Sequence, residues 1–65
     1  MREQILEYVA AHPNCDAHDV ASYLHEWGPK VSIEMHTMAR EGLLKSTYHH
    51  DPANMQFYDT YELPD

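Results

Sequence analysis

The sequence has few basic residues. Four Lys and Arg stand against eleven Asp and Glu, a formal charge of −7 over 65 residues. Sequence-independent affinity for nucleic acid comes mainly from Lys and Arg neutralising phosphates. The totals therefore exclude an avid, indiscriminate DNA binder. There is a single cysteine, Cys15. It excludes an internal disulfide and suits a reducing, cytoplasmic compartment. No apolar run approaches the about 20 residues that cross a bilayer. The opening MREQILEYV is too polar for a secretory signal, so no membrane role is expected. Linkers, repeats and low-complexity tracts are absent. Sixty-five residues make one small domain, 1–65, with a limited core.

What is present argues for a folded chain. Hydrophobic residues make up 43% of the sequence, with five Tyr, one Trp and one Phe, more than disordered segments carry. The charge is also unevenly placed. Residues 1–27 sum to −4 and residues 51–65 to −4, while residues 28–50 sum to +1. Lys30, Arg40 and Lys45, with His36, His49 and His50, fall in that middle block. The chain is acidic outside and mildly cationic in the middle.

Periodicity gives the elements. Ile5, Leu6 and Val9 form an apolar stripe at helical spacing, with Tyr8 beside it, so residues 2–11 are expected as a helix. His12-Pro13-Asn14 ends it, because the residue before proline is pushed out of helical dihedrals. Asp16 is the N-cap of a second helix over residues 17–26, with Asp19 in its first turn. Val20, Ala21 and Leu24 are its buried face. Trp27-Gly28 makes a short turn. Pro29 starts a third helix, where its missing N–H costs nothing. That helix runs over residues 29–41, with Val31, Met35 and Met38 inward, and Gly42 stops it. Residues 43–49 are expected as a strand, 50–54 as a turn and 55–63 as a returning strand. Phe57, Tyr61 and Leu63 face the core on that strand. Asp59 shares their face; it lies beyond the core edge or a bulge turns it outward.

The order implies an α+β fold, a three-helix helix-turn-helix core followed by a β-hairpin. The residues resemble the winged helix-turn-helix superfamily. DVASYL is similar to its second helix, with Ala21 where two helices approach closely. Leu24 and Val31 bracket the turn at the superfamily's separation of seven. Met35-x-x-Met38-x-Arg40-Glu41-Gly42-Leu43-Leu44 resembles its third helix and the exit into the wing, and Tyr61-Glu62-Leu63 its closing strand. The likeness covers nearly the whole chain and is specific for the fold, not for a subfamily. Size and acidity resemble those of small phage or plasmid regulators. The turn departs from the pattern: His25 and Glu26 stand where glycine and an aliphatic residue are usual. Trp27 is expected to supply the apolar plug instead.

The resemblance implies a small DNA-binding transcriptional regulator, with the third helix in the major groove and the wing on the backbone. With the apolar stripe inward, Lys30, Ser32, Ile33, Glu34, His36, Thr37 and Arg40 face outward. Ser32 and Thr37 can donate to phosphates or bases, and Arg40 and Lys30 can contact phosphate or guanine. Glu34 can accept from cytosine and Ile33 can touch a thymine methyl. Lys45, Thr47 and His49 alternate along the first wing strand, and His50 sits at its tip. Histidine is a weak phosphate ligand until it gains charge, ordinarily near about pH 6.5. Such binding to double-stranded DNA is expected to be weak alone and cooperative. The bland alternative is a solvated helix face and two idle turn histidines.

Three further readings compete. His12, Cys15 and His18 have an H-x-x-C-x-x-H spacing, but three soft ligands are few for zinc, and no metal or cofactor is expected. Nothing resembles a nucleophile with an oxyanion site, and so small a domain has little room for a water-excluded cleft. Neither an enzyme nor a small-molecule substrate is expected. Six aromatics exceed what the core can hold, and Tyr and Trp favour protein interfaces. Tyr23, Trp27 and Tyr58 are the candidates. An acidic module binding or inhibiting a basic protein partner, without DNA binding, is the alternative function. The chain is expected as a monomer or weak dimer, with a protein partner or self-association plausible.

Overall fold

Ile5 and Val9 lie one helical turn apart on α1 (Arg2–Ala11) and are fully buried. In the computed structural model, which describes residues 1–65, they form one wall of a single core. The helix ends where expected: His12, before Pro13, leaves the helical region at φ −132°, ψ 73°. Asp16 caps α2 (Ala17–Leu24). Its Oδ1 accepts from the Asp19 N–H at 2.8 Å, and Asp19 Oδ2 accepts from the Asp16 N–H at 3.3 Å. This reciprocal pair satisfies two otherwise orphaned donors. α3 (Gly28–Arg40) follows with Pro29 in its first turn and buries Val31, Met35 and Met38.

The end of α2 corrects the expected span of 17–26. The helix stops at Leu24 because His25 takes the left-handed conformation, φ 56°, ψ 40°. The Glu26 N–H then donates to the Ala21 carbonyl at 3.0 Å, and the His25 N–H to that of Ser22 at 3.4 Å. α3 ends in the same way. Gly42 sits at φ 85°, the Leu43 N–H donates to Met38 at 2.8 Å and the Gly42 N–H to Ala39 at 3.1 Å. Both are Schellman closures, one built on glycine and one on histidine. The expected apolar plug is also corrected. The His25 reversal leaves Trp27 outside, 72% exposed, while Leu24 packs half-buried against the core.

The hairpin joins β1 (Lys45–Asp51) to β2 (Gln56–Glu62) antiparallel, pairing Lys45 with Glu62 through Asp51 with Gln56 without a break. The expected strands 43–49 and 55–63 are thus shifted. Leu43 and Gly42 are consumed by the α3 closure, and Leu44 is buried before the strand begins. His50 lies within β1, not at the tip. The tip is residues 52–55, where Asp51 accepts from the Ala53 N–H at 3.1 Å and from Asn54 Nδ2 at 2.7 Å. Unbroken pairing rules out a bulge at Asp59. A short bridge also ties the α1–α2 loop to β2. The Tyr61 N–H donates to Cys15 at 2.7 Å, and the Asn14 N–H to Tyr61 at 2.9 Å.

Ten residues are buried, all hydrophobic, and no charged group is among them. Only Cys15, Leu44 and Tyr61 come from beyond the helices. Phe57, at 60% exposed, and Leu63, at 41%, do not join them, contrary to expectation. A two-stranded ribbon has no second layer to cover it, so its outer half projects into solvent. The radius of gyration, 11.3 Å, exceeds the about 10.7 Å expected of a compact chain this long. No helix is long and apolar enough to cross a membrane.

Candidate functional site

α3 divides its non-core residues among three neighbourhoods. On one flank Glu34 is drawn to α1. The Arg2 guanidinium donates Nε–H to Glu34, and its Nη1 and Nη2 reach the two Glu41 oxygens at 2.7 and 3.3 Å. These hydrogen bonds, Glu41's first, hold the Arg2 pKa above its ordinary value. Glu34 was expected on the outward face; it instead pins α1 to α3. On the opposite flank His36 faces β2, with Nε2 3.3 Å from Asp59 Oδ2. Ser32 is half-buried and lies with His36 along the same groove. Between the flanks, Lys30, Ile33, Thr37 and Arg40 face solvent. Ile33 is 69% exposed. The Thr37 hydroxyl donates back to the Ile33 carbonyl at 3.0 Å, so in this conformation it is not a free donor.

The cations of the middle block are mostly engaged. Lys30 Nζ lies 3.7 Å from Glu26, and Lys45 Nζ lies 3.9 Å from Glu62. Arg2 holds two carboxylates. Arg40 alone has no carboxylate partner. Exposed pairs of this kind contribute about 0–1 kcal/mol, so a phosphate can displace them. What they remove is the local excess of positive charge that segment sums imply.

The hairpin presents rings, not cations. Ser46, Tyr48 and His50 of β1 share a face with Tyr61, Asp59 and Phe57 of β2. Phe57 stacks on His50 at 4.5 Å between centroids and lies 6.4 Å from Tyr48. The other face carries Lys45, Thr47 and His49 opposite Glu62, Thr60 and Tyr58. His49 Nε2 is 2.9 Å from Thr60 Oγ1, and its ring stacks on Tyr58 at 4.9 Å. The two histidines are therefore cross-strand packing partners. The three tyrosine and tryptophan candidates occupy different settings. Tyr23 packs on Tyr8 at 4.9 Å, Tyr58 on His49, and Trp27 at the start of α3 has no ring against it. Sequence patterning missed Phe57 and Met55 as exposed apolar residues, since alternation alone does not say whether a strand face is covered.

The residues of the H-x-x-C-x-x-H spacing are dispersed. Cys15 is buried in the core. Burial pushes its thiol up from the usual value, which keeps it neutral and unreactive at neutral pH. His12 stacks on Tyr8 at 4.3 Å. No three His, Cys, Asp or Glu side chains converge as a metal site would require.

Two concavities open along the inner edge of the hairpin. One, of about 310 Å³, lies between the start of α2, α3 and β2; Asp16, Ser32, His36, Asp59 and Tyr61 line it. The other, of about 690 Å³, lies nearer the hairpin turn and is bounded by Asp16, Asp51, Gln56, Phe57 and Tyr58. Asp16, Phe57 and Tyr58 border both. Both are open troughs without an enclosed reaction chamber. Comparison with known proteins brought no match to any family model, curated sequence or solved structure.

Proposed function

We propose that this chain is a winged helix-turn-helix domain that acts by binding another protein through its third helix. The order of three helices and a hairpin, the tight α2–α3 turn and the small Ala21 at their contact support the winged-helix reading. One observation carries the functional reading. The start of α3 exposes its N-cap Trp27 and Ile33, 72% and 69% accessible, where a DNA reader needs cations, and three of the four cations are engaged by carboxylates. Exposed Trp and aliphatic residues beside a polar rim are what protein interfaces use. The hairpin adds exposed Tyr48, Phe57 and Met55 and no free Lys or Arg.

A photo-crosslinking amino acid at position 27 or 33 tests this in the source cells. A discrete protein adduct from both positions, absent when the label sits at Glu7 on α1, is the expected result. Absence of adducts, with NMR shifts at Thr37 and Arg40 on adding duplex DNA in 50 mM salt, would overturn it.

DNA binding is the second reading, and the unpaired Arg40 is the observation that favours it. Arg40 shares the outward face of α3 with Lys30 and Thr37, the face that enters the major groove in this superfamily. Arg40→Ala should then abolish any duplex-induced shifts while leaving the fold intact.

A further inference from the structure

The trough along the hairpin contains carboxylates and aromatic rings and no Lys or Arg side chain. Asp51 stands at its hairpin end, Asp16 in the middle and Asp59 at its α3 end, and Phe57 and Tyr58 flank it from opposite faces of β2. Phe57 is 60% and Tyr58 45% exposed. Each ring already lies flat against a histidine, His50 at 8° and His49 at 13° between planes. The rings are thus held in place without being covered. Asp16 and Asp19 cap the positive end of α2, which removes the one helix dipole that would repel a cation here. The trough walls carry two imidazoles, His18 and His36, of which His36 lies 3.3 Å from Asp59; Arg40 borders a neighbouring hollow.

We propose that this trough binds an arginine-bearing segment of a basic protein partner. A guanidinium stacks on an aromatic face while its edge donates two parallel hydrogen bonds to a carboxylate. Ammonium groups make only the second kind of contact well, as point charges. Because Phe57 and Tyr58 project to opposite faces of β2, successive arginines of a short extended segment lying along that strand meet different rings. The overall charge of −7 draws such a segment in. The inference goes beyond the reading of α3, because the trough is a surface separate from Trp27 and Ile33 and is tested without any natural partner.

The probe is acetylated tetra-arginine amide, titrated into the intact chain in 150 mM NaCl and followed by NMR. At that salt, attraction between exposed charges beyond about 8 Å is screened. Shifts are expected at Asp16, Asp51, Phe57, Tyr58 and Asp59, with tetra-lysine binding more weakly. Asp16→Asn, which keeps a helix cap, and Asp59→Asn should each weaken binding about two- to fivefold. Phe57→Ser and Tyr58→Ser should do the same. Amide spectra of each variant establish that it is folded. Equal binding of tetra-arginine and tetra-lysine, unchanged by Phe57→Ser and Tyr58→Ser, would overturn the proposal in favour of plain polyelectrolyte attraction. Shifts confined to α3 residues 27–33, or concentration-dependent shifts at the trough without peptide, would overturn it in favour of the helix face or of a second copy. Loss of crosslinking at positions 27 and 33 leaves this result untouched, so the two readings fail separately.

Discussion

His36 of α3 and Asp59 of β2 meet across the chain, Nε2 to Oδ2 at 3.3 Å. The contact joins a helix residue and a strand residue that sequence patterning had placed on unrelated surfaces. It shows why Asp59 can sit on the inward face of β2 beside the buried Tyr61 without a bulge. The carboxylate lies at the margin of the core and finds a partner there.

The His36–Asp59 pair is exposed on its histidine side, and its contribution should be small. A double-mutant cycle with His36→Gln and Asp59→Asn should return a coupling of about 1 kcal/mol or less. Arg40, Ser46 and Ala39 border a hollow that the pair also lines. A coupling well above about 1 kcal/mol would show that the pair is shielded from solvent.

Tyr61 buries its hydroxyl without a hydrogen-bond partner in the chain. Such a group costs about 1–3 kcal/mol. Tyr61→Phe keeps the ring in the core, so it should hold or raise the melting temperature. Burial first, then the charge of Asp59, pushes the phenol up to about 12. The folded state therefore resists ionisation that the unfolded chain undergoes near pH 10. Stability from this group is fully present below pH 10 and is lost as pH rises towards 12, by up to about 1.4 kcal/mol per unit. Thermal melts from pH 8 to 11.5 should show a steeper alkaline loss in the wild type than in Tyr61→Phe. Parallel losses would refute the assignment.

His25 does at the end of α2 what Gly42 does at the end of α3. A side chain in the left-handed region costs about 1–2 kcal/mol. Part of that is offset because glycine loses more freedom on folding. His25→Gly should stabilise the domain by about 0.5–1 kcal/mol, seen as a rise in melting temperature of a few degrees. A fall would mean that the imidazole itself stabilises the turn.

The core and the hairpin should respond very differently to truncation. Met35 is fully buried, and Met35→Ala should cost about 2–5 kcal/mol. A chain this size has only about 3–10 kcal/mol in total, so denaturant melts of this variant should show the midpoint fall by a large fraction of its wild-type value. Phe57→Ser, on the exposed ribbon, should change stability by about 0.5 kcal/mol or less. Amide exchange should be fastest at residues 52–57. Slow exchange there would show that the ribbon is covered in solution.

Much of the architecture was legible in the sequence. The span of α1, the Asp16–Asp19 cap, Pro29 at the start of α3, the Val31, Met35 and Met38 stripe and the Gly42 stop all follow from interactions within about four residues. The α2–α3 turn was misread because a histidine occupies the position where glycine signals a left-handed residue. The hairpin was misread because alternation identifies a strand but not what covers it. Of the α3 residues expected to face outward, the exposure of Lys30, Ile33, His36, Thr37 and Arg40 was legible, and the partial burial of Ser32 and Glu34 was not.

The sequence by itself determined three helices, a hairpin and the helical half of the core, since capping, periodicity and turn chemistry act along neighbouring residues. Only the tertiary structure decided where the charges and rings went. Arg2 neutralises Glu34 from 32 positions away, Asp59 meets His36, and Phe57 and Tyr58 stay uncovered beside three carboxylates. Electrostatic and stacking partners are chosen by proximity in space, and a linear charge count contains no information about that proximity.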